Sequence, residues 1–337
     1  MQEMDQRDRE LLGALQGEIP LVSTPFAFIG QSIDMSEKEV IKRTERLRRE
    51  GVIRSIAPQF DSRALGYRSC LVAARVKPER IDEAAGVINA HPGVTQNYRR
   101  NNDLNLWFTI FVSPLSKVGL EKTVDILGNE SGCSAVRPLP TLRLYKTSGS
   151  DGETQSELQN EYTPLTPPEI EAVRLLQRDL PLQPRPFDVL ARGAGISSDE
   201  LLTAARALLK RGQIRRFCAY VPSRKPGFAA TAMGVWVVPP EKVDAFGAKL
   251  SQHRAVSHCY LRPTYDDWPY NLYTTVHARS VDECESVIQD LAIDTGLVQK
   301  QALFPTKEYK KVRASFFSQE EEEWEDAHGE ARAVAAG

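Results

Sequence analysis

Gly51-Val52-Ile53-Arg54 returns 161 positions later as Gly212-Gln213-Ile214-Arg215. Outward from that pair, the same offset aligns Ile19-Pro20-Leu21 with Leu180-Pro181-Leu182, Pro25-Phe26 with Pro186-Phe187, Ser62-Arg63 with Ser223-Arg224, and Gly66-Tyr67 with Gly227-Phe228. One extra residue then shifts the register, so that His91 and Val94 match His253 and Val256. The chain is a tandem duplication. A repeat of about 150 residues is too long for a solenoid unit, so each copy reads as a subunit and the chain as a fused pair. Between the copies, residues 147–163 (TSGSDGETQSELQNEYT) carry almost no core-forming side chains and read as a flexible linker.

Each copy opens with helical patterning. Leu11, Leu12 and Leu15 within Asp8–Leu15, and Ile170, Val173, Leu175 and Leu176 within Pro168–Gln177, have the spacing of an amphipathic helix that Pro20 or Pro181 then closes. In the second copy Phe187–Ala191 reads as a second helix. Gly193 and Gly195 make the turn, and Ser197 or Ser198 caps a third helix that runs to Arg211. The first copy repeats this with Ser36 as cap and a helix to Glu50. Gly51 and Gly212 end the third helices, and Val52–Ile56 and Gln213–Tyr220 begin extended segments, which is the plan of a winged helix-turn-helix.

Beyond this point the pattern becomes strand, helix, strand, strand, helix, strand. Cys70–Val76 and Met233–Val238 are β-rich, and Ile81–Ile88 and Val243–Leu250 show one helical face. Leu106–Val112 and Leu272–Ala278 give third strands, Val118–Leu127 and Val281–Leu291 second helices, and Ala135–Tyr145 and Leu297–Tyr309 closing strands. That order predicts a ferredoxin-like βαββαβ plait in each copy, and an α+β fold class for the whole. The expected domains are a winged helix-turn-helix over 1–58, a plait over 59–146, the linker over 147–163, a second winged helix-turn-helix over 164–219, a second plait over 220–317, and an acidic, mobile tail over 318–337.

Composition narrows the function. The chain has 337 residues and a formal net charge of −2, so it lacks the overall basic field of a protein dominated by phosphate contacts. No apolar run reaches the ~20 residues that span a bilayer, and Met1–Glu10 has no signal-peptide pattern, so no membrane contact and a cytoplasmic address are expected. The five cysteines are scattered without a Cys-x-x-Cys pair, which predicts reduced, buried thiols; only Cys259 falls in a segment of interest.

A winged helix-turn-helix followed by such a plait resembles the Lrp/AsnC class of regulators across both copies. Three segments are more specific: FDSRALGY (Phe60–Tyr67), HPGVTQNYRRNNDLNLWFT (His91–Thr109) and AVSHCYLRPTYDDWPYNLYT (Ala255–Thr274). They resemble the siroheme decarboxylases, a branch of that superfamily whose members work as pairs of similar subunits, sometimes fused. The resemblance implies non-oxidative loss of CO2 from two acetate arms of siroheme to give 12,18-didecarboxysiroheme, in heme d1 or alternative heme biosynthesis. No cofactor is then required, because the iron arrives with the tetrapyrrole. The implied assembly is an intramolecular pseudo-dimer, with further association through the plait sheets compatible with the plan.

Such a substrate calls for a proton source, charge-matched anchors and aromatic walls. Ser257-His258-Cys259-Tyr260-Leu261-Arg262 supplies these types, followed by Tyr265, Trp268, Tyr270, Asn271 and Tyr273. His258 is the expected proton donor, because an ordinary imidazole titrates near ~6.5; axial ligation of the substrate iron is its competing role. Arg262 is expected to hold a carboxylate, Tyr260 to stack or donate a hydrogen bond, and Asn271 to orient an edge group. The first copy matches with Tyr98, Arg100 and Asn105 but carries Gln96 in place of His258, and a carboxamide is no acid near neutrality. The family commonly has His in both motifs, so Gln96 is a departure that points to one catalytic pocket, in the second copy. A second departure is the lack of a His before Ser223-Arg224-Lys225. Arg215 and Arg216 are expected as further anchors at the crevice between sub-domains, with Arg54, Arg63, Arg99 and Arg224 as weaker candidates. His91 and His253 read as turn residues, and His277 and His328 are not favoured.

Two rival readings belong to other classes. A DNA-binding regulator accounts for the fold, but the third helices begin Ser36-Glu37-Lys38-Glu39 and Ser197-Ser198-Asp199-Glu200, acidic where phosphates would lie. Lys42, Arg43, Arg46, Arg48 and Arg49 restore charge in the first copy only. A heme-binding sensor would bind the tetrapyrrole without turnover.

Overall fold

In the computed structural model, which describes residues 4–147, 162–221 and 230–329, each copy begins with three helices. These are α1 (Gln6–Gln16), α2 (Pro25–Ser32) and α3 (Glu37–Arg49) in the first copy. Their counterparts in the second, numbered here in chain order, are α6 (Pro167–Leu176), α7 (Pro186–Arg192) and α8 (Ser198–Lys210). The termini follow from side-chain chemistry. Ser36 Oγ accepts from the Glu39 amide and Ser197 Oγ from the Glu200 amide, each at 3.2 Å, satisfying amide groups that the helix itself leaves without acceptors. Gly51 and Gly212 both sit at φ +75°, a left-handed conformation that reverses the chain after α3 and α8.

The strands that follow the helices depart from the expectation of one wing per copy. Among the described residues each copy supplies a single strand here, β1 (Ser55–Phe60) and β7 (Ile214–Tyr220). The two pair antiparallel with each other, Ser55 opposite Tyr220 and Gln59 opposite Arg216. One strand cannot satisfy its own backbone groups, and its duplicate is the partner at hand. Both helical triplets, this shared ribbon and residues 315–319 form one compact unit.

The second compact unit holds both plaits. The first contains β2 (Arg68–Arg75), α4 (Ile81–Ala90), β3 (Val94–Arg100), β4 (Leu106–Val112), α5 (Leu120–Glu130) and β5 (Ala135–Leu139). The second contains β8 (Ala230–Trp236), α9 (Val243–Gln252), β9 (Val256–Leu261), β10 (Leu272–Ala278), α10 (Val281–Thr295) and β11 (Lys300–Leu303). The expected closing segments each break into two strands. After β5 the chain forms β6 (Arg143–Lys146), which pairs with β9 of the other plait; after β11 it forms β12 (Pro305–Lys311), which pairs with β3. The sheet orders are therefore β12-β3-β4-β2-β5 and β11-β8-β10-β9-β6. The linear boundaries at 146 and 317 thus divide the sequence, while the strands on either side of them are exchanged.

Period-two alternation sorts the strands between two cores. Val72, Ala74, Leu106, Phe108 and Ile110 face α4 and α5, while Ala73, Trp107 and Leu139 meet Val235, Trp268, Tyr273 and Leu303 of the second plait. The plaits therefore pack sheet against sheet, with Trp107 edge-on to Trp268 at 5.4 Å.

The mobile tail is also corrected. Residues 319–329 form α11 (Gln319–Gly329), which docks on the first plait. Trp324 is buried there, edge-on to His91 at 4.4 Å and stacked on His328 at 4.1 Å. Glu325 accepts from Ser116 Oγ and from the Lys117 and Val118 amides, at 2.9 and 3.1 Å for the amides. The run of glutamates masked a single apolar anchor. Residues 330–337, most of the expected linker, and Ser223-Arg224-Lys225 lie outside the described residues.

Two predictions follow from α11 and the turn beneath it. Truncating a buried Trp typically removes about 3 kcal/mol, so Trp324→Ala is expected to lower the urea midpoint correspondingly; an unchanged midpoint would show the helix to be undocked. His91 is buried with Nδ1 accepting from the Gly93 amide at 3.0 Å, the turn role expected of it. Burial, with the charges of Lys310 and His328, pulls its pKa down to about 3. The unfolded chain binds that proton near ~6.5 and the folded chain does not, so acid favours unfolding below that value. Going from pH 7 to pH 5 should remove about 2 kcal/mol through this residue, and denaturant titrations of His91→Gln should show a flatter pH slope.

Candidate active site

The face of β9 turned toward the other plait is organised by one irregularity. His258 lies opposite Thr275 and Val256 opposite Val276, so Ser257 is an extra residue, a bulge that re-aims the neighbouring side chains. As a result Ser257 Oγ lies 2.8 Å from Nδ1 of His258 and 2.8 Å from Nε2 of His277 on β10. Nδ1 of His277 lies 2.9 Å from Thr231 Oγ1, directly across on β8. Ser257 Oγ is also 3.3 Å from the Thr275 carbonyl. Thr231, His277, Ser257 and His258 thus form one continuous hydrogen-bonded line over three strands, from exposed Thr231 to half-buried His258.

Along β9 the alternation carries His258, Tyr260 and Arg262 on one side. The His258 and Tyr260 rings are nearly parallel, 21° apart with centroids at 5.9 Å. The Arg262 guanidinium lies 4.8 Å from the Tyr260 ring and 5.5 Å from that of Tyr273, a cation–π arrangement, and donates to the Leu139 carbonyl. Arg262 is deeply buried, and burial pulls its pKa below the ordinary arginine value, although the guanidinium remains charged at neutral pH. Among the described residues no carboxylate pairs with it.

Burial also lowers the His258 pKa, assisted by the charges of His277 and Lys146. The ring therefore differs from the ordinary imidazole expected of it, since burial disfavours its charged form. Lys146 comes from β6, opposite Cys259, and donates to the His253 carbonyl at 3.1 Å. Cys259 itself is fully buried, with its thiol pushed up to about 12, and is chemically quiet.

The first copy repeats the backbone without the titratable line. Thr95 is the bulged residue, Gln96 lies opposite Thr109, and the place of His277 is held by Phe111, opposite Ser69 rather than Thr231. Tyr98 and Arg100 repeat Tyr260 and Arg262. Arg100 donates to the Leu303 carbonyl at 3.1 Å, lies 5.8 Å from both the Tyr98 and Trp107 rings, and is pulled down to about 10 by burial.

Other expected residues take different places. The Asn271 carboxamide is committed to one backbone unit: its Oδ1 accepts from the Val238 amide at 2.9 Å and its Nδ2 donates to the Val238 carbonyl at 2.8 Å. Asn105 does the same with Val76, at 3.0 and 2.8 Å. Asn271 is a loop clamp rather than a group that orients a ligand edge. Arg215 and Arg216 belong to the other compact unit, where Arg215 pairs with Asp61 at 2.6 Å and Arg216 donates to Gln59 at 3.4 Å. Ser257 stands in the segment singled out above without a role of its own, His277 is the strand residue not favoured there, and Thr231 carries no signal in the sequence. The spacing Tyr273, Thr275, His277 does place His277 on the Tyr273 face, but its partner across the sheet depends on the bulge.

If Asn271 and Asn105 are clamps, Asn271→Ala and Asn105→Ala should each lower stability by about 1–3 kcal/mol, the penalty for stranding buried backbone groups. Thermal unfolding of both variants checks this; a loss of ligand affinity confined to the Asn271 variant, at unchanged stability, would return it to the site.

Comparison with known proteins follows the same division of the chain. A siroheme decarboxylase NirDL-like HTH domain model matches residues 8–54 and 169–215, and an AsnC-like ligand binding domain model matches residues 64–146 and 225–310. A siroheme decarboxylase of Hydrogenobacter thermophilus is 36% identical over 323 residues, covering 94% of this chain and 96% of that protein. A siroheme decarboxylase beta subunit of Methanosarcina barkeri is 38% identical over 144 residues, 43% of this chain and 95% of its own length, which is a separate protein the size of one copy. The crystal structure of a siroheme decarboxylase NirDL in co-complex with an iron-uroporphyrin III analogue superposes with a TM-score of 0.81 at 35% identity, covering 97% of this chain and 99% of that one.

Proposed function

Because this chain belongs to the siroheme decarboxylase family, we propose that it removes CO2 from two acetate side chains of siroheme to give 12,18-didecarboxysiroheme. The observation that carries this reading is the column on β9: a half-buried imidazole stacked on Tyr260, beneath a guanidinium with no carboxylate partner among the described residues. A buried cation without a counter-ion is costly, and an anionic ligand relieves that cost.

Loss of CO2 from an acetate leaves an electron pair that the macrocycle shares until a proton arrives at the methylene carbon. His258 supplies that proton. Its depressed pKa in the free chain suits this task, because a substrate rich in carboxylates favours the charged form of any imidazole it approaches. Partial burial favours decarboxylation by replacing the hydration shell of the departing carboxylate. Tyr260 provides a ring face and Arg262 positive charge. Tyr98, Arg100 and Gln96 form the matching, non-acidic side in the first copy, and the iron is the substrate's own. One imidazole then serves both acetates.

The regulator reading is opposed by the fate of the basic residues on α3. Arg43 is bound to Asp5, Asp8 and Glu39, Arg46 to Asp8 and Glu50, and Arg48 to Asp179. On α8, Arg206 donates to the Leu21 carbonyl. Lys38, Lys42 and Arg49 stay exposed on α3, but the first turns of α3 and α8 carry Glu37, Glu39, Asp199 and Glu200 where phosphates would lie.

Anaerobic incubation with siroheme, followed by mass analysis, is expected to show loss of two CO2 units, and His258→Ala to reduce the rate by about 100-fold or more while heme-type spectral titration still shows binding. Binding without any mass change in the intact protein would make it a sensor.

A further inference from the structure

We propose that Thr231, His277 and Ser257 form a proton relay that recharges His258 between the two decarboxylations. This rests on the decarboxylase reading above and extends it to residues outside the reacting column. Two acetates require two protons, and the first copy offers no second imidazole, since Gln96 and Phe111 occupy the places of His258 and His277. On this reading the single donor is refilled between the two steps.

Of the two directions of hydrogen bonding that the imidazole tautomers permit along these contacts, one runs inward. Ser257 has one hydroxyl proton and lies 2.8 Å from a nitrogen of each imidazole. If it donates to Nδ1 of His258, then His277 donates to it from Nε2 and accepts at Nδ1 from Thr231, 2.9 Å away. His258 then carries its proton on Nε2. Every donor in the line points from exposed Thr231 toward His258.

The transfer balances. The C–CO2 bond breaks, CO2 leaves, and the remaining electron pair takes the Nε2 proton of His258 to form the methyl group. The Ser257 proton moves to Nδ1 of His258, the Nε2 proton of His277 to Ser257, and the Thr231 proton to Nδ1 of His277, and a solvent proton replaces the last. In sum, one carboxylate and one solvent proton yield a methyl group and CO2, with no oxidant. The relayed proton now sits on Nδ1 of His258, so a half-turn of each imidazole about its Cβ–Cγ bond, which exchanges the side its protonated nitrogen faces, together with rotation of the two hydroxyls, must precede the second transfer. Burial, with the charges of His277 and of Lys146 on β6, disfavours the charged form of His258, which suits a group that passes a proton on.

His277→Phe copies what the first plait already tolerates at Phe111, and Ser257→Ala removes only the central hydroxyl. Each variant should slow the second decarboxylation relative to the first by about tenfold or more and accumulate the mono-decarboxylated tetrapyrrole. Added imidazole should restore the second step in the His277 variant. Wild-type kinetics of both steps in both variants would overturn the relay, as would equal slowing of both steps without imidazole rescue, the signature of a structural role. If one variant fails to fold, the other decides. Failure of the wild-type protein to release any CO2 from bound siroheme would instead remove the underlying reading, and the relay with it.

Discussion

The open edge of a β-sheet governs this molecule. In each plait the strand that follows the first helix, β3 or β9, is left with a row of backbone amides and carbonyls that nothing within its own copy covers. The chain meets that demand by exchange: β12 closes β3 and β6 closes β9. Neither sheet is complete without a strand from the other copy. The exchange also holds the sheets face to face, so that Trp107, Trp268, Tyr273 and Leu303 share one apolar layer. A fused pair of subunits is thereby an intramolecular pseudo-dimer by backbone hydrogen bonding as well as by covalent connection.

The same exchange shapes the candidate site. β9 is at once the strand closed by the first copy and the strand that carries His258 and Tyr260, with Arg262 directly after its end. The first copy therefore contributes Lys146 to the surroundings of His258 even though its own corresponding face has lost the imidazoles. A copy without its acid keeps a purpose in the fold, because its strand is needed to finish its neighbour. This division explains how Gln96 and Phe111 sit in an otherwise faithful repeat of bulge, aromatic and arginine.

Electrostatics along the inter-sheet layer are lopsided toward positive charge. Arg100 and Arg262 are both buried, both donate to a carbonyl of a neighbouring strand, and both lie against aromatic rings rather than carboxylates. Ring faces and carbonyl oxygens offset part of the desolvation penalty without neutralising the charge. Burial disfavours the charged form of His258 as it does that of the two arginines, because water has been removed from around all three. A surface prepared in this way is matched to a ligand that brings negative charge with it.

Legible along the chain alone were the duplication, the order of helices and strands, the serine caps, the turn roles of His91 and His253, and the grouping of His258, Tyr260 and Arg262. All of these are local or periodic properties, written in spacing along one strand or helix and repeated 161 positions apart. Tertiary structure decided the rest. Which strand covers which edge depends on hydrogen-bonding partners far apart in the chain, so the shared β1–β7 ribbon and the exchanged β6 and β12 left no periodic trace. The docking of α11 turned on one tryptophan among acidic residues, whose burial requires a surface made by the first plait. His277 and Ser257 became partners of His258 only because one inserted residue shifts the register of β9 against β10, and a register is a relation between two strands that neither strand's sequence contains.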